Sequence, residues 1–281
     1  MIKLVRQIVK SVYFVIARLL TFLIRSLPLK LQLFIKSNTV VLRKMDYPRH
    51  KILLHVDSEI EQSVRLISCQ KEPETVEWIE TNFKEGDVFF DIGANVGAYS
   101  LVASKFCHDN INIYSFEPSF VTFPQLCKNI IANGCTDSII PLQIALSDKT
   151  GIDIFNYHNL VQGGALHTLG AAIDYKGDSF ETVAKQQVLS YRIDDLITNF
   201  KLPIPNHIKL DVDGIELAVL LGAEKTLENI DTKNLIMELE EGSKDVNLAI
   251  DYLAGKGMRF HAKYIGASTP DAKVYNYVFK R

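Results

Sequence analysis

Val88-Phe89-Phe90-Asp91-Ile92-Gly93-Ala94-Asn95-Val96-Gly97 is the stretch that decides the fold. Val88–Ile92 reads as a short apolar strand with one acid near its tip. Gly93 and Gly97 bracket a turn, and a helix-prone run follows over 98–106. Glycine lets the backbone turn tightly and approach a ligand with no Cβ in the way. In open α/β sheets, ligands bind beyond the carboxyl ends of strands, which is where this turn falls. The same glycines also suit a purely structural junction, so the turn needs a second signal.

Spacing supplies part of it. A GxGxxG dinucleotide fingerprint starting at Gly93 needs glycine at 95 and 98, where the chain has Asn95 and Ala98. A pyrophosphate is therefore not the expected guest. The next strand, 111–116, ends in Glu117-Pro118, twenty residues beyond Gly97. A carboxylate there can accept both ribose hydroxyl protons; the alternative is an exposed strand-end acid.

Outward from this pair the pattern alternates. Helices are expected over 74–83, 98–106, 120–133, 217–229 and 247–255. Strands are expected over 88–92, 111–116, 139–145, 208–212 and 235–239. Short apolar strands between helices imply a mostly parallel sheet with helices on both faces. Two last strands, 259–264 and 274–279, read as an antiparallel ending. Ahead of the alternation, 51–57 and 63–69 read as two short strands of a β-rich lead-in. The alternation lapses over 156–187, which carries Tyr157, His158, His167, Tyr175 and Gly177. A long loop inside a compact α/β domain is usually functional or disordered, and this one reads as a substrate-facing lid.

Further candidate residues sit at strand ends. Asp91 can orient the turn or meet a cationic amino group. Ala145-Leu146-Ser147-Asp148 falls where an adenine ring would lie, with Leu146 packing on it and Ser147 or Asp148 bonding its amino group. Lys209-Leu210-Asp211-Val212-Asp213-Gly214-Ile215-Glu216 places three carboxylates within six residues at a strand–helix junction. Mutual repulsion raises at least one carboxylate pKa there, which suits a general base. The plainer reading is a capping box, Asp213 as cap with Glu216 three residues on. Asp211 is the expected base, with Asp213 beside it and His167 from the lid as second candidate. Glu238 or Glu240 lines the acceptor pocket or is solvated strand-end charge.

The 281 residues suffice for a full core, and 47% hydrophobic with 23% charged content is that of an ordinary globular enzyme. A formal net charge of −2 gives no basic footprint, so no nucleic-acid partner is expected. The four cysteines form no CxxC pair, and the seven histidines show neither HxxxH nor HExxH spacing. No metal site or disulfide framework is expected, and reduced thiols fit a cytoplasmic setting.

The charge is unevenly placed. Residues 1–44 hold nine Lys and Arg and no acid, Asp46 being the first carboxylate. At helical spacing, residues 1–25 form a narrow basic stripe beside a broad apolar face. Arg18 interrupts the apolar run, so the segment falls short of the ~20 residues a spanning helix needs. Residues 1–45 therefore read as a basic amphipathic helical segment. Its residues 1–36 either lie against the cytoplasmic face of a membrane or pack on the chain's own domain. A lead-in over 46–73 and a main domain over 74–281 complete the expected organisation.

Taken in order, Asp91-x-Gly93-x-Asn95-x-Gly97, Glu117-Pro118, Ala145-Leu146-Ser147-Asp148 and Lys209-x-Asp211-x-Asp213-Gly214-x-Glu216 resemble the FkbM family of methyltransferases. The resemblance runs from about Glu74 to the C-terminus. It implies the class I, Rossmann-like methyltransferase fold, a seven-stranded sheet whose last strand is antiparallel, and S-adenosylmethionine as cofactor. It also implies O-methylation of a hydroxyl on a sugar, glycan or other small metabolite. The family often carries Glu where Asp213 stands, so the charge is kept and the reach shortened. Two other readings compete: an NAD-dependent oxidoreductase, and a non-catalytic, membrane-associated nucleoside-binding module.

Overall fold

A computed structural model describes residues 2–173, 178–265 and 274–281. The chain divides into two units, Met1–Val41 and Leu42–Arg281.

The first unit is two helices, α1 (Ile2–Arg25) and α2 (Leu29–Asn38). Pro28 lacks the N–H needed to continue α1 and stands immediately before α2. Gln32 Nε2 donates to the carbonyls of Arg25 and Leu27, satisfying acceptors left open at the end of α1. Among the described residues, no helix is long and apolar enough to cross a membrane.

The second unit opens with an antiparallel pair, β1 (Leu42–Lys44) and β2 (Leu53–His55). Three helical pieces follow: α3 (Glu59–Ser63), a 3-10 turn over Arg65–Ile67, and α4 (Ser68–Lys71). The strand expected over 63–69 is thus helical. The reason lies just upstream, where Ser58 and Glu61 form a reciprocal capping box that starts a helix. Next comes α5 (Pro73–Asn82), with proline at its first position.

The alternation then appears as β3 (Val88–Ile92), α6 (Ala98–Phe106), β4 (Asn112–Phe116), α7 (Phe123–Ala132) and β5 (Ile139–Leu142). The expected strand 139–145 stops short. Its last residues form β6 (Ala145–Leu146), which belongs to a second sheet with β7 (Gly151–Tyr157), β8 (Thr168–Leu169) and β9 (Ala184–Tyr191). The lid is therefore built on an antiparallel β7–β9 pair and is less irregular than its sequence. Ile152 and Ile154 face outward on β7, which hides the inward-facing apolar side a strand normally shows. Tyr175 and Gly177 lie outside the described residues.

After α8 (Ile193–Phe200), for which no helix is expected, come β10 (His207–Leu210), α9 (Glu216–Leu221), α10 (Glu224–Glu228), β11 (Asn234–Glu240), α11 (Lys244–Gly255), β12 (Arg259–Ile265) and β13 (Val274–Lys280). The main sheet runs β12-β13-β11-β10-β3-β4-β5, with β13 antiparallel to both its neighbours. Alternate residues feed two cores. Phe89 and Ile113 pack with Trp78, Leu101 and Leu126 on one face. Phe90, Ile208 and Leu235 pack with Leu196, Val219 and Leu253 on the other. Helices thus cover both faces, as parallel strands require. From β3 the chain turns to β4 on one side, while β10 lies on the other. Such a switch point leaves a crevice at the carboxyl ends of the strands.

Candidate active site

A cavity of about 380 Å³ occupies that crevice, a size typical of small-molecule sites. Gly93 and Asn95 line it after β3, Glu117 after β4, Leu146 on β6, and Asp211 and Asp213 after β10. Glu238 lines it from β11.

The turn and the acid after β4 form one bonded unit. Gly93 and Ala94 N–H groups donate to the Phe116 carbonyl, each at 3.0 Å. Glu117 accepts from Asn95 N–H at 3.0 Å and from Ser119 N–H at 2.9 Å. Burial pushes the Glu117 carboxyl up to about 7 despite these two donors. Gly93 and Gly97 take φ of +79° and +83°, which favours glycine. A Cβ on Gly97 would meet Leu126 Cδ1 at 2.5 Å, so this glycine serves the contact with α7.

Not every candidate reaches the cavity. Asp91 sits behind the turn, where Oδ2 accepts from Ser100 Oγ at 2.5 Å and Oδ1 is buried with no hydrogen-bond partner among the described residues. Ser147 Oγ donates to Asp148 Oδ1 at 3.0 Å, and neither residue lines the cavity, whereas Leu146 does.

The acid cluster divides into distinct roles. Lys209, buried beneath it, donates to Asp211 Oδ2 at 2.7 Å. Burial would raise the Asp211 carboxyl, but the Lys209 charge and a hydrogen bond from Glu238 hold it well below the ordinary range. Glu238 shows the reverse: burial and the Asp211 charge push it far up, so it keeps its proton and donates to Asp211. Asp213 is raised to about 6 by burial and then by Asp211. Its backbone is left-handed, at φ 57°, and its Oδ2 accepts from Leu166 N–H at 2.7 Å. The expected capping box does not form. The residue preceding α9 is Ile215, which makes no side-chain cap, and Glu216 instead accepts from Gly214 N–H at 3.1 Å. Asp213 is thereby free to hold the lid.

The lid segment 159–167 closes one wall of the cavity and, besides the Leu166 bond to Asp213, is tied down by three further residues. Ser58 Oγ donates to Gln162 O at 2.8 Å. Arg65 donates twice to Gly163 O, at 2.9 and 2.7 Å. Asn95 Nδ2 donates to Gly164 O at 2.8 Å. His167 lines the cavity, its Nδ1 accepting from His158 N–H at 3.3 Å. That bond places the ring proton on Nε2. Burial lowers the His167 pKa to about 4, so the ring is a neutral donor at physiological pH.

Arg65 and Lys71 also line the cavity, from a segment whose sequence carries no motif pointing to a site. Glu238 had a weak signal in its position at a strand end. Arg65 and Lys71 are engaged by Gly163 O and Glu72, and Asp211 by Lys209. Ionised Asp213 and Glu117, the latter poised to ionise near neutral pH, therefore supply the negative charge that suits a cationic guest. With the buried Glu117 acid and the apolar Leu146 wall, the residues present fit S-adenosylmethionine, a cationic nucleoside.

A seven-stranded sheet with antiparallel β13 between β11 and β12, bearing this turn-and-acid pair, defines a class I S-adenosylmethionine-dependent methyltransferase. The model of the methyltransferase FkbM domain matches residues 91–260, and the chain belongs to that family. It is 26% identical to the hexuronic acid methyltransferase AglP of Haloferax volcanii, over 66% of this chain and 71% of that protein. It is 27% identical to the 31-O-demethyl-FK506 methyltransferase FkbM of Streptomyces tacrolimicus, over 50% of this chain and 61% of that one. A crystal structure of methyltransferase FkbM from Methylobacillus flagellatus superposes with a TM-score of 0.48 at 15% identity, covering 70% of this chain and 44% of that one. S-adenosylmethionine is the cofactor, and the nicotinamide-enzyme alternative gives way to it.

Proposed function

We propose that this chain methylates a hydroxyl of a sugar, glycan or other small metabolite, and that Asp213 takes the proton the hydroxyl gives up. When bound, S-adenosylmethionine would supply a sulfonium methyl group for transfer to the hydroxyl oxygen, with a neutral thioether as the leaving group. An alcohol is a weak nucleophile until a base removes its proton. Asp213 suits that task, being ionised at neutral pH yet more basic than an ordinary aspartate. Asp211 is ionised too, but its pairing with Lys209 makes it a poor proton acceptor. Together with Glu238 it orients the acceptor hydroxyl, and the neutral His167 donates from the lid side. Glu117 would accept the ribose hydroxyls and Leu146 would pack on the adenine. Asp91, Gly93, Asn95 and Gly97 hold the turn, while Ser147 and Asp148 support the adenine wall from behind.

The observation that supports this reading is that Asp213 and Glu117 both line one cavity. The names of the two relatives, one acting on a hexuronic acid and the other on a 31-O-demethyl compound, favour a small acceptor bearing hydroxyls. Nucleic acid is disfavoured because Arg65 is engaged by Gly163 O and Lys71 by Glu72, leaving carboxylates to face a phosphate. The test is methyl transfer from labelled S-adenosylmethionine to a panel of sugars and to extracted glycans. The product should be a methyl ether, and Asp213→Asn should slow its formation by about 10²–10⁴-fold while calorimetry still detects cofactor binding. Label on nitrogen or carbon would overturn the hydroxyl assignment, and full turnover by the variant would overturn the base.

A further inference from the structure

The unit Met1–Val41 combines two features that the methyltransferase chemistry does not use. It holds seven Lys and Arg and no acid, so its cations have no anionic partner within the unit. On α1, Val12, Val15, Ile16, Leu19, Leu20, Phe22 and Leu23 are each at least 49% exposed. At 3.6 residues per turn, these seven share one broad arc, while Arg18, Thr21 and Arg25 share the opposite stripe. None of the described residues of α2 is buried, and Lys30 and Lys36 continue the positive charge.

We infer that α1 is an interfacial helix that lies in the plane of an anionic lipid surface. An exposed apolar arc of this extent marks an interaction site. Three kinds of occupant can be weighed by chemistry. A nucleic acid would pair with the arginines but leave the apolar arc in water. A second copy of the helix would bury the arc but leave both basic stripes, on the outward faces, without an anionic partner. A bilayer with anionic headgroups meets both demands, since acyl chains take the arc while headgroups pair with the stripe. Arg18 divides the apolar run, which fits a helix lying along the surface rather than crossing it.

Flotation of the full chain with vesicles tests this. It should float with phosphatidylcholine vesicles that contain phosphatidylserine and much less with phosphatidylcholine alone. Added salt should weaken the difference. Arg18→Gln with Arg25→Gln should lower partitioning into the anionic vesicles by about fivefold per charge. Leu19→Asp with Leu23→Asp should abolish it. S-adenosylmethionine affinity should be unchanged in every variant, which shows that the catalytic unit remains folded. Failure to float, or equal binding to both vesicle types, would overturn the inference. So would a concentration-dependent dimer that Leu19→Asp with Leu23→Asp dissociates, since the arc would then be an interface between copies.

Discussion

A Cβ placed on Gly93 would lie 1.8 Å from the carbonyl oxygen of Asp211. The cofactor turn and the acid cluster therefore touch through their backbones, with nothing between them. The contact follows from the sheet: β3 and β10 are parallel neighbours with Ile92 opposite Leu210, and Asp211 N–H donates to Ile92 O. Any change in the turn is transmitted to the residues that would meet the acceptor.

Gly93→Ala should accordingly harm both halves of the site. The new methyl group collides with backbone that cannot swing aside, at a left-handed φ of +79°. Strained backbone of this kind costs about 1–3 kcal/mol. We expect a lower Tm and loss of cofactor binding by calorimetry. A variant with wild-type affinity would show that the turn can relax.

Activity should depend on pH through Asp213. The base must be ionised, and its pKa is raised to about 6, so at saturating S-adenosylmethionine kcat/KM for the acceptor should climb through that value and level off above it. Asp213→Asn should remove the inflection and cost about 10²–10⁴-fold in rate. His167 is held near 4 by burial, so His167→Gln, which keeps a donor, should leave the inflection in place.

Cofactor affinity should carry its own pH dependence. Glu117 is raised to about 7 by burial, and only its ionised form accepts both ribose hydroxyls. Below that value a proton must be lost on binding, so affinity should fall by about tenfold per pH unit. Titrations with S-adenosylmethionine across this range should show the slope, and Glu117→Gln should flatten it while binding more weakly.

Arg65→Ala probes the lid. The guanidinium donates two hydrogen bonds to Gly163 O, and bonds to charged groups contribute about 1.5–3 kcal/mol. Loosening the lid should lower kcat/KM by about 10–100-fold. Because Ser58 and Asn95 still hold the neighbouring residues, Tm should fall by no more than about 3–12 °C. A large fall in Tm with unchanged kcat/KM would assign Arg65 to stability alone.

Periodicity located the strands and helices around the site, and the departures have local causes. Residues 63–69 carry the apolar spacing of a strand, yet the capping box of Ser58 and Glu61 commits the chain to helix. The helix expected over 217–229 breaks into α9 and α10, with Gly222 and Ala223 between them. The strands β7 and β9 lack a legible inward apolar alternation because an antiparallel pair with one exposed face can place isoleucine outward.

By itself, the sequence determined the parallel sheet with its antiparallel ending, and the pairing of the Gly93 turn with Glu117. Both rest on local rules: side-chain alternation along a strand, and a glycine wherever φ turns positive. Only the tertiary structure decided how the acids divide their roles. Asp211 is tamed by Lys209 two residues away and by Glu238 from the next strand, while Asp213 takes its partner Leu166 from the lid. It also drew Arg65 and Lys71 into the cavity and left Asp91, Ser147 and Asp148 behind its wall. A carboxylate's basicity depends on burial and on charges a few ångströms away, and chain folding brings those neighbours from positions that no sequence period connects.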